Sequence, residues 1–262
     1  SEIIRVGIVL PEDKIQEITI SWSPELELET NIPALQAVQS ISLFVENAVI
    51  SFKNLPNISS HTALSLSCSD QVEALSTKYG FHIDSVVAGR GFHWEKRIEV
   101  DLPGKLDISI QDGFLKVINF VDVEAYVACV ATSEMGSEAP VDLLAAQTVV
   151  ARCWSLALAE AKHLSDGYDV CNDDCCQRYQ GTTYLTDHSL RAAIKTAGEV
   201  LVYEDRVIDA RYSKNCGGMV EAYDTVWEGG QVPYLIPLWD APEQKAGYAV
   251  DDLEKHYAYD EA

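Results

Sequence analysis

Four residues in one short stretch of the chain have side chains that could bind a metal ion. They are Cys171, Cys175, Cys176 and, just upstream, His163. A zinc site needs four soft or borderline ligands in a tetrahedron, and this stretch offers three thiols and one imidazole. The spacing lacks paired C-x-x-C knuckles, so a disulfide from Cys171 to Cys175 or Cys176 is an equally open interpretation. The residues alone predict either a zinc site or a local disulfide here.

A glutamate with possible acid–base chemistry lies in the segment Thr132-Ser133-Glu134-Met135-Gly136. The preceding residues have helical periodicity, and Gly136 is a typical stop signal, so Glu134 is expected at a helix C-terminus. The carbonyl groups there disfavour a carboxylate anion. If this elbow is also partly apolar, desolvation acts in the same direction, and Glu134 would hold a proton that it could donate as a general acid. The pattern alone also fits, and favours, an ordinary surface glutamate at a helix end.

A third segment, at residues 213–218 (SKNCGG), follows a predicted strand. The pair Gly217 and Gly218 would let the backbone approach a ligand closely. The segment lacks the lysine and serine of a phosphate-binding loop, and the chain has no G-x-S-x-G elbow of a serine hydrolase. Cys216 as a nucleophile, with His188 or His163 as its base, stays open, but no spacing supports it.

The first part of the chain, residues 1–88, has the pattern of a β-rich region. Residues 3–10 are rich in β-branched residues, and residues 15–22 alternate between apolar and polar. A short helix is expected at 71–79, before Gly80. Strands separated by glycine and proline turns then predict a series of hairpins at 81–88, 92–100, 105–110 and 114–120.

Two consecutive helices are predicted where the pattern changes at residue 122. The first covers 122–133, and the second begins at Pro140 and continues to about Lys162. The second helix is apolar on most sides, with one narrow polar stripe formed by Thr148, Arg152 and Ser155. Gln147 lies off that stripe and is interpreted either as a hydrogen-bonded core residue or as a residue that faces a site.

The predicted fold is α+β. A β-rich N-terminal region with hairpin strands (1–88) precedes a mixed α/β catalytic core (89–240) with a buried helix pair and the cysteine-rich loop. After that loop we expect a helix at 187–197 and strands at 198–203 and 207–213. Residues 241–262 form an acidic tail.

Charge and hydropathy exclude several classes of partner. The chain has 262 residues, with 19 Lys and Arg against 41 Asp and Glu, which gives a net charge of -22. Such a chain repels phosphate backbones, so we expect no nucleic acid and no anionic membrane surface as partners. The apolar runs are shorter than the roughly 20 residues that cross a bilayer, and residues 1–5 do not form a signal peptide.

Several of these segments, taken in order, resemble one protein family. They are NFVDVEAYVACVATSEMGSEAPVDLLAAQ at 119–147 with TVVAR at 148–152, YDVC…CCQRYQG at 168–181, GEVLVYEDRVIDARY at 198–212 and CGGMVEAYDTVWEGG…PYL at 216–235. Together they resemble the stage II sporulation protein D family, which includes the amidase-enhancer proteins. The resemblance covers roughly residues 90–240.

The resemblance implies a peptidoglycan lytic transglycosylase. Such enzymes cut the bond between N-acetylmuramic acid (MurNAc) and N-acetylglucosamine (GlcNAc) in glycan strands without stem peptides and leave a 1,6-anhydro end. The glutamate of the Ser-Glu-Met motif is their catalytic acid, which places Glu134 in that role. Plausible substrate-binding residues in the groove are Ser133, Gln147, Arg152, Tyr179, Tyr212, Gly217 and Gly218.

The resemblance also favours zinc over a disulfide in the cysteine-rich loop. The family's loop usually reads Cys, a few residues, then His-Cys-Gln, and it binds zinc. Cys171, Cys176 and Gln177 match, Cys175 stands where the family has His, and a thiolate is also a competent ligand. His163 is then the expected fourth ligand, and the metal is expected to order the loop. At Ser213 and Cys216 the family often has His and Ser.

The runner-up function is a binding module. Such a protein would hold glycan strands, or activate a cell-wall amidase as amidase enhancers do, without cutting a bond. A third possibility is a zinc-stabilised interaction domain that binds no sugar. The resemblance implies a location outside the cytoplasm, associated with the cell wall.

Overall fold

The computed structural model describes residues 2–71, 75, 80–158 and 161–240. The strands, in chain order, are β1 (Ile3–Val9), β2 (Glu17–Trp22), β3 (Glu29–Thr30), β4 (Ser40–Glu46), β5 (Val49–Phe52), β6 (Ala63–Ser67), β7 (Phe81–Ala88), β8 (Lys96–Leu102), β9 (Lys105–Gln111), β10 (Phe114–Asp122), β11 (Val170–Cys171), β12 (Val202–Tyr203), β13 (Arg206–Val207), β14 (Met219–Val220) and β15 (Leu238–Trp239). The α-helices are α1 (Val123–Met135), α2 (Val141–Ala157), α3 (Asp187–Lys195) and α4 (Tyr223–Val226).

Two larger sheets carry the fold. One has the strand order β11-β1-β10-β9-β6-β3, and the other has the order β5-β4-β2-β7-β8. Their neighbours are antiparallel except for β11, which pairs in parallel with β1 through Val6↔Val170 and Gly7↔Cys171. One hydrophobic core contains buried residues from both sheets and from α1. The predicted α+β class is thus confirmed, and the start of the cysteine-rich loop is tied to the edge of a sheet.

The predicted N-terminal strands are present, but the expected series of hairpins is only partly correct. Strands β7 and β8 form one hairpin and β9 and β10 another, whereas β8 and β9 do not pair, because the chain passes from one sheet to the other between them. The strand expected at 92–100 begins at Lys96. In β2 the burial alternates as predicted, with Ile18, Ile20 and Trp22 in the core. The predicted boundary between the N-terminal region (1–88) and the core (89–240) falls between β7 and β8, which pair with each other. Each of the two larger sheets contains strands from both sides of this boundary.

Helix α1 confirms the prediction for 122–133 and extends it to Met135. The side chain of Asp122 caps its start by accepting a hydrogen bond from the Glu124 N–H at 2.8 Å. Gly136 ends it with a φ of 96°, a value that a side chain would disfavour. Nine of the first ten residues of α1 are buried, and this helix packs against α2 and α3. The predicted buried helix pair is confirmed.

Helix α2 is shorter than predicted. It ends at Ala157 and not near Lys162, because Leu158 adopts a left-handed conformation with φ of 42°. Pro140 is the N-cap residue and lies just before the first helical position. The apolar sequence pattern continues to residue 159, and such a pattern does not distinguish the end of a helix from the turn that follows it.

The predicted strands at 198–203 and 207–213 are also shorter, since β12 and β13 contain two residues each. Their turn is formed by Glu204 and Asp205, which both have positive φ, as in the tight turns that connect such hairpins. Beyond β13 the chain leaves the hairpin and enters the interior, where Ala210 is buried. Helix α3 confirms the prediction for 187–197 within two residues.

Two predictions lie outside the described residues, namely most of the helix at 71–79 and the acidic tail at 241–262. In the part of the chain that the structure describes, none of the helices is long and apolar enough to cross a lipid bilayer.

Candidate active site and metal centre

Glu134 lies in the last turn of α1, and two neutral donors hold one of its carboxylate oxygens. Its Oε1 accepts a hydrogen bond from the backbone N–H of Arg178 at 2.7 Å and another from the hydroxyl of Tyr212 at 3.1 Å. The side chain is half-buried. Within the described ranges, Oε2 makes no hydrogen bond. The carboxyl group is thus fixed through Oε1, and Oε2 remains available for proton exchange.

Tyr212 is positioned to act as a hydrogen-bond donor to Glu134. Burial, followed by the charge of Glu134, raises the pKa of Tyr212 above the usual range of a phenol. The nearby side-chain amides of Gln177 and Gln147 oppose this shift in part. The hydroxyl therefore keeps its proton at neutral pH, and the structure brings together Glu134, Tyr212 and Gln147 as predicted site residues.

Two buried amides next to Tyr212 have unused donors. The Nε2 atoms of Gln147 and Gln177 have no hydrogen-bond partner among the described residues, although the side chains are 4% and 1% exposed. The Oε1 atom of Gln177 accepts a hydrogen bond from the Tyr126 hydroxyl at 3.0 Å. A buried amide N–H without a partner is costly. Of the two interpretations of Gln147, this geometry favours a residue that faces a site.

Ser133 anchors the segment that contacts Glu134. Its Oγ donates to the carbonyl of Cys129 at 2.9 Å and accepts from the N–H of Gln180 at 3.3 Å. The segment from Arg178 to Gln180 is therefore bonded to two consecutive residues at the end of α1.

The other predicted groove residues lie elsewhere. Arg152 is 1% exposed, and its guanidinium binds the Glu124 carboxylate at 2.9 and 2.5 Å. Tyr179 is fully buried, where its hydroxyl donates to Asn119 at 2.7 Å and its ring stacks on Tyr126. The structure does not bring these two side chains to the Glu134 carboxylate.

Gly217 and Gly218 lie in the turn before β14. Both have positive φ, 66° and 93°, which explains the choice of glycine. A Cβ on Gly218 would meet nothing within 4 Å, so this backbone is open to its surroundings. The neighbouring Cys216 thiol donates to Asp240 at 3.4 Å.

The four predicted metal ligands form one cluster. Their ligand atoms all lie within 4.8 Å of one another. The Cys175 Sγ is 3.0 Å from Cys171 Sγ, 3.9 Å from Cys176 Sγ and 3.6 Å from His163 Nε2. Zinc–sulfur bonds of about 2.3 Å in a tetrahedron place the sulfurs about 3.8 Å apart. The Cys175–Cys176 separation matches this value, and the Cys171–Cys175 separation is shorter. The donor set therefore fits a metal ion such as zinc, and all the cysteines are free thiols.

The electrostatics of the cluster also suit a metal. Hydrogen bonds with the thiols of Cys171 and Cys176 lower the pKa of the Cys175 thiol. The hydrogen bond between Cys171 and Cys175 has the opposite effect on Cys171 and raises its pKa. A thiolate is the form that binds metal. On the other side of the His163 ring, Nδ1 lies 3.6 Å from a carboxylate oxygen of Asp166, the arrangement that orients metal-binding histidines.

The metal cluster adjoins the Glu134 site along the chain. Gln177 and Arg178, which reach Tyr212 and Glu134, directly follow Cys176. The sequence analysis matched Gln177 to the family's loop motif but named neither residue for the Glu134 site. For Arg178 the available signal was its position soon after the cysteine cluster, because a fixed loop also fixes the residues that continue it.

Comparison with known proteins agrees with the sequence motifs. Residues 111–203 match the family model SpoIID, described as Stage II sporulation protein. Over 121 residues, 45% of this chain, the sequence is 34% identical to an uncharacterized protein of Brachyspira hyodysenteriae. Over 118 residues, also 45% of the chain, it is 32% identical to the Amidase enhancer of Bacillus subtilis. Residues 111–203 are therefore similar to the stage II sporulation protein D family, and the predicted resemblance is confirmed.

The matched regions span 32% of the length of the Brachyspira protein and 16% of the length of the Bacillus protein. The chain thus corresponds to a third or less of these curated relatives.

Proposed function

We propose that this protein is a lytic transglycosylase that cleaves MurNAc–GlcNAc bonds in peptidoglycan glycan strands without stem peptides. The observation that carries the proposal is the Glu134 carboxyl group, which is held at Oε1 by two neutral donors and is available at Oε2. The match to the SpoIID family model and the name of the Bacillus subtilis relative support a substrate in the cell wall. A location outside the cytoplasm follows from that substrate.

The geometry defines how Glu134 can act first as an acid and then as a base. When Oε1 accepts two hydrogen bonds, the proton of the neutral carboxyl group lies on Oε2. Transfer of this proton to the glycosidic oxygen releases the leaving sugar and forms an oxocarbenium-like state. The carboxylate then takes the proton of the C6 hydroxyl as that oxygen bonds to C1, which closes the 1,6-anhydro ring. No water is consumed, so the enzyme is a lyase.

The surrounding donors stabilise the intermediate carboxylate. The Arg178 N–H and the Tyr212 hydroxyl are already aimed at Oε1, so little reorganisation is needed when Glu134 becomes charged. One carboxylate is sufficient because the nucleophile belongs to the substrate.

A bound zinc ion would supply structural order. His163, Cys171, Cys175 and Cys176 would hold it, with four protein ligands as in structural zinc sites. The residues that continue the loop, Gln177 and Arg178, would then be fixed against Tyr212 and Glu134.

The test compares the parent protein with Glu134→Gln on amidase-treated glycan strands, with products identified by mass spectrometry. We expect 1,6-anhydro ends from the parent and none from the variant. Glu138→Gln is a matched control, because this exposed carboxylate lies four residues further along the chain. Intact strands with every form would overturn the proposal.

The second candidate function is a glycan-binding module that activates a cell-wall amidase. It is favoured by the name of the Bacillus subtilis relative, Amidase enhancer. Binding of glycan strands without anhydro products, together with faster hydrolysis by an added amidase, would support this function over the first.

A further inference from the structure

An aromatic pair protrudes from the loop between β7 and β8. The rings of Phe92 and Trp94 are stacked, with centroids 5.8 Å apart and an interplanar angle of 15°. Phe92 is 51% exposed, whereas Trp94 is partly buried. A Cβ on Gly89 would lie only 2.4 Å from the Trp94 ring, so the indole rests directly on the backbone of this glycine. Trp94 thus supports Phe92 from within the loop.

The loop is held rigidly against the cysteine-rich loop. The buried carboxylate of Asp173 accepts hydrogen bonds from the N–H groups of Gly89 and Arg90 at 2.9 and 2.7 Å. The Arg90 guanidinium binds Asp13 and Asn172, each at 2.6 Å. An exposed aromatic side chain on such an ordered loop loses little further freedom when a ligand binds.

One residue links this aromatic pair to the proposed catalytic group. The backbone N–H of Arg178 binds Glu134, and its guanidinium lies 5.3 Å from the centre of the Trp94 ring. The guanidinium is also held by Asp174 at 3.0 Å. Arg178 therefore contacts Trp94 through its guanidinium and Glu134 through its backbone N–H.

The same loop lines a polar cavity. This cavity has a volume of about 550 Å³, within the usual range of ligand sites, and its lining includes Arg90, Glu95, Lys96 and Arg97. An exposed aromatic face next to groups that donate and accept hydrogen bonds suits a sugar, whose ring has an apolar C–H face and a rim of hydroxyls. A lipid surface is the alternative ligand for an exposed aromatic side chain. It would not need carboxylates such as that of Glu95 in the lining, and the net charge of -22 repels anionic membranes.

We propose that Phe92, backed by Trp94, is a sugar-stacking platform that binds a ring of the glycan strand beyond the bond cut at Glu134. The inference rests on the proposed function, since it assigns part of the substrate to this surface. The loop lies outside residues 111–203, which match the family model, so the platform is argued from the contacts of this chain. It predicts that the protein prefers long glycan strands to single disaccharides.

Binding is measured in a Glu134→Gln background, so that the glycan stays intact, by calorimetry with amidase-treated oligosaccharides. Phe92→Ala and Phe92→Leu are expected to weaken binding about 2- to 10-fold, the effect of one aromatic contact. Phe92→Tyr should restore it, because the aromatic face is kept. Phe92→Leu keeps apolar area but lacks an aromatic face, so it separates ring stacking from apolar contact in general. All three variants are compatible with folding because Phe92 is exposed.

Unchanged affinity in Phe92→Ala and Phe92→Leu would overturn the platform, as would the absence of glycan binding by the Glu134→Gln protein itself. Failure of the proposed activity gives a different result. If the parent forms no anhydro ends while Phe92→Leu still weakens binding, the transglycosylase is overturned and the platform is supported.

Discussion

Helix α1 carries two glutamates, one at each end, and their surroundings differ in kind. Glu124 lies in the first turn, where it accepts two hydrogen bonds from the Arg152 guanidinium and one from the Gly198 N–H at 3.1 Å. Glu134 lies in the last turn, and its partners are the Arg178 N–H and the Tyr212 hydroxyl. One carboxylate is neutralised by a buried cation, and the other is held by neutral donors.

The helix dipole strengthens this difference. An anion is stabilised at a helix N-terminus and disfavoured at a C-terminus. Glu124 is thereby a structural group paired with a buried cation, whereas the Glu134 carboxylate is bound by neutral donors. Only the surroundings of Glu134 suit a role in proton transfer.

Glu134→Gln should reduce the rate of anhydro-product formation by about 10²- to 10⁴-fold, because general acid–base catalysis is lost. Its free energy of unfolding should change by less than about 0.5 kcal/mol, since the amide oxygen can still accept both hydrogen bonds. Rates come from mass spectrometry and stability from urea unfolding. A large loss of stability would show that Glu134 is structural, like Glu124.

Glu124→Gln should have the opposite profile. It leaves the guanidinium of Arg152 buried without its counter-charge, which costs about 3–5 kcal/mol of unfolding free energy. The double variant Glu124→Leu, Arg152→Met removes both charges and should recover most of this loss. Equal urea midpoints for the parent and Glu124→Gln would contradict the assignment.

Metal removal should affect the Glu134 end of α1 and leave the Glu124 end intact. We expect one zinc ion per chain by elemental analysis. Chelation should lower the free energy of unfolding by about 3–4 kcal/mol, if zinc had been present at 100 to 1,000 times its Kd. It should also reduce product formation, since Gln177 and Arg178 follow the cluster.

Two cysteine variants provide the control for this prediction. Cys176→Ser should mimic chelation, whereas Cys216→Ser, which changes a thiol outside the cluster, should not. Retention of full stability by Cys176→Ser would exclude a structural metal.

Tyr212→Phe should give the smallest effect, about a 10-fold loss of rate, because one of the two donors to Oε1 is removed. Tyr212 is a positioning residue, so substrate affinity should stay nearly constant while the maximal rate falls. Tyr184→Phe, on an exposed tyrosine, serves as control. If Tyr212→Phe leaves the rate unchanged, the hydrogen bond from the Arg178 N–H is sufficient to position the Glu134 carboxyl group, and the assignment of Tyr212 is wrong.

Much of the fold was predictable because local patterns report burial directly. The alternation in β2 and the capped apolar run of α1 predicted elements that the structure contains. The errors occur where one pattern fits two geometries. The apolar residues after Ala157 are compatible with a helix or a turn, and the residues after Val207 leave their hairpin to reach Glu134.

The sequence by itself determined the local features of the site: a glutamate at the end of a helix, and a histidine and three cysteines close enough along the chain to meet. Only the tertiary structure decided which groups surround Glu134. Arg178 and Tyr212 lie 44 and 78 residues away from it in sequence. Arg152, predicted to serve the groove, pairs instead with Glu124. Such pairings depend on how helices and loops pack, because a buried charge or amide takes the partner that packing places beside it.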